Sequence, residues 1–162
     1  MLFRSGFAVL GGVKINLPML GAKDQFALQG TYAKGAVGYV LDAWQNSTTA
    51  GVGGWSPYDF STRNGTIDQA SAAGVYGSLT HGWTKTLASA FGVGYASYKG
   101  ADSSHDFNYL DIRANLAWTP VSNFTVTGEV SNLNNYYSTE AKANGLRNES
   151  RTNFDLRIQR NF

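Results

Sequence analysis

The chain contains no cysteine, so neither a disulfide nor a thiolate metal site helps to hold it. It has no apolar run of about 18 residues or more, which excludes a transmembrane helix. Charge is scarce. Asp, Glu, Lys and Arg make up 15% of 162 residues, against about a quarter in ordinary soluble domains. A net charge of +2 with no basic run gives nucleic acid nothing to bind. Catalytic signatures are missing as well. There is no Gly-x-Ser-x-Gly elbow and no Walker loop, and His81 and His105 stand far apart without a third ligand. The chain reads as a single domain over 1–162, not an enzyme, with no cofactor and no metal.

Nineteen glycines, nine phenylalanines, nine tyrosines and four tryptophans are what the chain has instead. Helical spacing is nearly absent and strict alternation is nearly everywhere. In the first segment Phe7, Val9, Gly11, Val13, Ile15 and Leu17 oppose Gly6, Ala8, Gly12, Lys14 and Asn16, with Leu10 the exception. Phe26, Leu28, Gly30 and Tyr32 form the second. Ala73, Val75, Leu79 and Trp83 mark the third, and Phe91, Val93 and Tyr95 the fourth, opposite Ala88, Ala90, Gly92, Gly94 and Ala96. Leu110, Ile112, Ala114, Leu116 and Trp118 alternate with Tyr109, Asp111, Arg113 and Asn115 in the fifth. The sixth sets Phe124, Val126 and Val130 against Thr125, Thr127, Glu129 and Ser131. The last sets Phe154, Leu156, Ile158 and Phe162 against Asn153, Asp155, Arg157, Gln159 and Asn161.

The segments run to about 9–13 residues, the length of tilted membrane strands; soluble strands are nearer five or six. Connections alternate in length. Short ones fall at Pro18–Asp24, Thr84–Thr86 and Thr119–Asn123, and long ones at about Gly35–Gln69, Lys99–Asp106 and Ser138–Ser150. Val37, Tyr39 and Leu41 alternate briefly, as if the second strand continued into its loop. This pattern is an antiparallel meander of about seven strands with short turns at one rim and long loops at the other.

Periodicity alone does not say which solvent the apolar face meets. A soluble sandwich packs that face inward, whereas a membrane barrel turns it to lipid and lines its interior with the polar face. The polar face carries Lys14, Asp111, Arg113, Asn115, Glu129, Asp155 and Arg157 among small residues, which suits a wet interior. Trp83 and Trp118 each precede a short turn on the apolar face, where an indole favours a lipid headgroup region. Tyr98, Tyr136 and Tyr137 lie towards the opposite ends. Before Arg160 the apolar face has no Lys or Arg, which at the bilayer centre would cost about 2–4 kcal/mol. Arg160, near an end, can snorkel. The reading is an all-β transmembrane barrel wall.

The final strand ends on Phe162, an aromatic terminus that resembles the assembly signal of bacterial outer-membrane proteins. Leu156-Arg157-Ile158-Gln159-Arg160-Asn161-Phe162, Gly11-Gly12-Val13-Lys14-Ile15-Asn16-Leu17-Pro18-Met19 and Leu116-Ala117-Trp118-Thr119-Pro120-Val121 resemble strands of the alphaproteobacterial porins of rhizobial and brucella type. The likeness runs from about Gly6 to Phe162. It implies a sixteen-stranded homotrimeric barrel in the outer membrane. Lipid surrounds such a barrel, and ions and small hydrophilic solutes diffuse passively through it. It also implies an inward-folded loop that narrows the pore, expected in strands ahead of this chain.

Seven strands are fewer than sixteen, and an odd meander cannot close antiparallel on itself, so the chain reads as a C-terminal portion of a larger barrel. Met1–Ser5 offer a start for an eighth strand. In that alternative the chain is a small closed barrel serving as an anchor or adhesin. Met1 to Val13 has one positive charge and a short apolar stretch but no small-x-small cleavage site, so no signal peptide is read there. Asp111, Arg113, Glu129, Asp155 and Arg157, all on the last three strands, are the candidates for tuning ion preference; a cross-strand ion-pair ladder is the structural alternative. Trp83, Trp118 and Phe162 are the candidate lipid-interface aromatics. Four Asn-x-Ser/Thr triplets, at Asn46, Asn64, Asn123 and Asn148, carry no function in a bacterial chain.

Overall fold

A computed structural model describes residues 5–21, 23–45, 58–63, 66–101 and 103–162. The triplets at Asn46 and Asn64 and most of the Met1–Ser5 segment lie outside the described residues. Seven long strands form one sheet in the order β1-β2-β5-β6-β7-β8-β9, every neighbouring pair antiparallel. These are β1 (Phe7–Asn16), β2 (Gln25–Lys34), β5 (Ser71–Gly82), β6 (Leu87–Lys99), β7 (Phe107–Val121), β8 (Phe124–Tyr137) and β9 (Glu149–Arg160). A small hairpin, β3 (Phe60–Arg63) and β4 (Thr66–Gln69), stands apart in the long β2–β5 connection. Two short helices also interrupt long connections: α1 (Gly38–Gln45) after β2 and α2 (Thr139–Ala143) after β8.

Turn chemistry sets the register. At the β5–β6 turn Thr84 Oγ1 accepts the backbone N–H of Thr86 at 3.2 Å and of Leu87 at 3.0 Å. The β7–β8 turn needs a left-handed residue, and Asn123 supplies it at φ 64°. Asn148 caps another join, its Oδ1 accepting the Tyr137 N–H at 3.0 Å. Both Asn123 and Asn148 thus have structural work.

Because side chains alternate across the pleat, each strand contributes to two unlike faces. The apolar face is bare: Val9, Leu28, Leu79, Phe91, Leu116 and Ile158 are all exposed, and Phe154 is 81% exposed. No other element covers it among the described residues. The opposite face, called the inner face below, receives α1. Val37, Val40 and Leu41 bury themselves against Ala33, Ala70, Ala72 and Ala96, with Tyr98 alongside. The contact is close at Gly74, where an added Cβ would sit 3.0 Å from Val40 Cγ1.

Two expectations change here. Residues 37–41 do not extend β2; they enter a helix, because Val37, Val40 and Leu41 at i, i+3 and i+4 share one helical face. Tyr98 and Tyr137 do not join the outward aromatics. Their parity puts them on the inner face, where Tyr98 stacks on Phe107 at 5.2 Å and Phe107 packs on Tyr137 at 5.8 Å. Tyr136 alone of the three faces outward and is exposed. α1 also lies over the inner face, a packing that the alternation of residues 37–41 does not announce.

Candidate functional site: the charged wall of the inner face

Asp111, Arg113 and Asn115 occupy alternate positions of β7 and therefore one face. Register sets them opposite Gly94, Gly92 and Ala90 on β6 and opposite Leu133, Ser131 and Glu129 on β8. Small residues on β6 leave room above the wall. Tyr76 of β5 uses it: its hydroxyl lies over Gly92, where an added Cβ would strike it. Glycine at position 92 thus lets an aromatic ring lie across one strand towards the Arg113 guanidinium on the next.

The charges form a compact group. Arg113 donates from Nε to Asp111 Oδ2 at 3.0 Å and from Nη2 to the same oxygen. Its Nη1 lies 3.6 Å from Glu129 Oε1 across the β7–β8 boundary. Asn115 joins the neighbours, its Oδ1 accepting the Ala90 N–H at 3.1 Å and its amide reaching Glu129 Oε2 at 3.5 Å. Asp111 is only 3% exposed, and its Oδ1 is buried without a hydrogen-bond partner among the described residues. Asp111, Arg113 and Glu129 thus form an ion-pair network on one face, the structural alternative for these residues.

Other sequence candidates sit elsewhere. Asp155 is the register partner of Glu129, while Arg157 is exposed on β9 and donates to Gln159. Lys14 lies on β1, beyond β2, β5 and β6 from Arg113. It shares a shallow depression with Gln29 and Tyr76. Trp83, Trp118 and Phe162 are exposed on the outward face near the short turns. Arg160 lies 5.4 Å from the Phe162 ring, a cation–π contact at the chain end.

Sequence reasoning missed a second polar cluster, at the short-turn rim. Asp24, just before β2, is 3% exposed and accepts the Gly82 N–H at 3.0 Å; its other oxygen meets His81 Nδ1 at 2.7 Å. The Gly82 N–H first, and then His81, hold this carboxyl below its ordinary value of 3.8, against the opposing effect of burial. Trp83 packs edge-on against His81 at 4.5 Å and donates to Ser89 Oγ at 3.0 Å. A signal existed, since His81 shares the outward parity of Leu79 and Trp83. His105 belongs to the opposite rim, bonded to Ser104 at 2.6 Å. Among the described residues no three His, Cys, Asp or Glu side chains gather to hold a metal.

A bare apolar face backed by a charged inner face is the wall of a membrane barrel, and the described helices include none able to cross a membrane. No curated protein and no solved structure matches the chain. One family model does, that of a porin subfamily, over residues 4–159. The chain therefore belongs to the porin subfamily, the non-enzymatic β-barrel channel proteins of the outer membrane.

Proposed function

We propose that this chain forms part of the wall of a water-filled passive channel for ions and small hydrophilic solutes. Asp111, Arg113, Asn115 and Glu129 line its wet side. One observation carries the reading: every one of these residues lies on the face opposite an exposed apolar surface. An outward lipid face leaves the inward face to water. The free edges of β1 and β9 run the same way, so the proposal includes further strands, odd in number, that complete the barrel. Trimeric assembly, implied by the family resemblance, belongs to the same proposal and is checked by chemical crosslinking in detergent.

Planar-bilayer conductance of the chain refolded in detergent tests the reading. Repeated current steps in KCl support the channel and would mean that the chain, alone or as an oligomer, closes a pore without further strands. Strand-rich circular dichroism with no steps and aggregation is what a wall without its further strands gives; a monodisperse, strand-rich barrel with no steps would match a plugged anchor and count against the channel. Ion preference is read from reversal potentials. Arg157→Glu is the cleaner charge reversal, because Arg157 is exposed while Arg113 sits between two carboxylates. It should shift preference towards cations, and an unchanged reversal potential would remove Arg157 from the tuning set.

A further inference from the structure

We propose that the β5–β6 turn, with Lys23 beside it, binds the phosphodiester of an anionic glycerophospholipid in the leaflet at the short-turn rim. This goes beyond the channel reading and does not depend on conductance. Lys23, Asp24 and Lys85 are the charged side chains of the three short turns. Asp24 is already engaged: it is 3% exposed, and its oxygens meet the Gly82 N–H and His81 Nδ1. Both lysines are exposed, and no described carboxylate forms an ion pair with either. The exposed charges of these turns are therefore all positive.

The two lysines are also held together. Lys23 lays its stem against Gly82, and its Nζ donates to the Lys85 carbonyl at 2.8 Å. One ammonium thus rests on the backbone of the residue that carries the other. Like charges set so near repel one another unless an anion lies between them. An ammonium has three donors, so Lys23 keeps others for a phosphate oxygen, and Thr86 adds an exposed hydroxyl at the same crest. Trp83 sets the depth. Its ring is exposed on the outward face, oriented by Ser89 Oγ at 3.0 Å and by His81 at 4.5 Å, and an indole settles at the headgroup boundary. Lys85 follows two residues later, a rise of at most about 5 Å along a strand tilted by about 40°. The headgroup layer is about 5–8 Å thick on each side, so Lys85 falls at the depth of lipid phosphates. A zwitterionic headgroup would bring an ammonium that finds no exposed carboxylate in these turns. A net-anionic headgroup meets only cations.

Native mass spectrometry of the chain refolded in nonionic detergent tests the site, with phosphatidylglycerol, phosphatidylcholine and inorganic phosphate as probes. Phosphatidylglycerol should be retained and phosphatidylcholine should not. Lys23→Gln combined with Lys85→Gln should weaken phosphatidylglycerol about thirtyfold. Lys99→Gln combined with Lys142→Gln removes the same charge from exposed positions at the long-loop rim and should leave that affinity unchanged. If the first pair fails to regain its strand signal, Lys85→Gln alone decides, with a loss of about fivefold expected. Equal retention of the two lipids, or unchanged affinity in the short-turn variants, would overturn the site. Equal losses in the two double variants would overturn it as well, leaving only diffuse attraction between charges. Displacement of phosphatidylglycerol by inorganic phosphate would reassign the turn to a free anion. Current steps play no part in this readout, so the channel reading stands or falls by itself.

Discussion

Helices α1 and α2 both interrupt long connections at the same rim, yet different forces hold them. α2 is stabilised locally. Ser138 caps it, its Oγ accepting the Ala141 N–H at 3.1 Å, Glu140 sits in its first turn, and Gly145 ends it at φ 91°. Only Ala141 of α2 is buried. α1 has no acidic residue in its first turn and no basic one in its last. It depends on Val37, Val40 and Leu41 pressed into a floor of alanines, and on Asp59 Oδ1 accepting the Val37 N–H at 2.6 Å. A helix held by its own caps can sit wherever its loop puts it. A helix held by a floor stays over that floor, and here the floor adjoins the charged wall.

The comparison can be broken most forcefully at Leu41, which is 2% exposed. Leu41→Ala should cost the α1 packing about 2–5 kcal/mol, read as faster amide exchange in α1 with α2 unchanged. Equal exchange in both helices would show that the floor does not hold α1. Next in size is Arg113→Ala, which leaves Asp111 buried without its cation. It should destabilise β7–β8 by up to about 3 kcal/mol in urea titrations, while α1 keeps its protection. Loss of α1 protection in that variant would mean that floor and wall are one cooperative unit.

Ser138→Ala acts on the other helix. It removes the α2 cap at a cost of about 1 kcal/mol, and only the amides around Ala141 should exchange faster. The mildest change is Asp24→Asn, distant from both helices. The folded carboxyl sits below 3.8, so its stabilising contribution is present above pH 3.8 and is lost as pH falls through the lower folded value. Melting temperatures of the variant and the parent should therefore differ at neutral pH and converge in strong acid. A gap that persists there would assign the effect to shape and not to charge.

The strands were legible because alternation is a local property, and each apolar residue from Phe7 to Phe162 reports its own side of the pleat. Which wall residues meet was not. Arg113 finds Glu129 only through the register that the Asn123 turn fixes, and nothing in either residue announces it. Residues 37–41 misled because Val37, Tyr39 and Leu41 also satisfy period two; the helical set of Val37, Val40 and Leu41 was hidden in the same five positions. Asp24 and His81 are 57 positions apart and meet because β2 and β5 are neighbours. Chemical type alone suggests an outward place for Tyr98 and Tyr137, whereas their parity sends both inward.

The bare apolar face spans at least the interval from Val75 to Trp83. Trp83 lies eight positions after Val75 on the outward side of β5 and its turn. At about 3.4 Å per residue and a tilt of about 40°, that interval rises roughly 21 Å. Bacterial outer membranes are thinner than average, and a short band suits them. In a thicker bilayer the surrounding lipid would have to compress beside this wall, at a fraction of a kcal/mol per ångström.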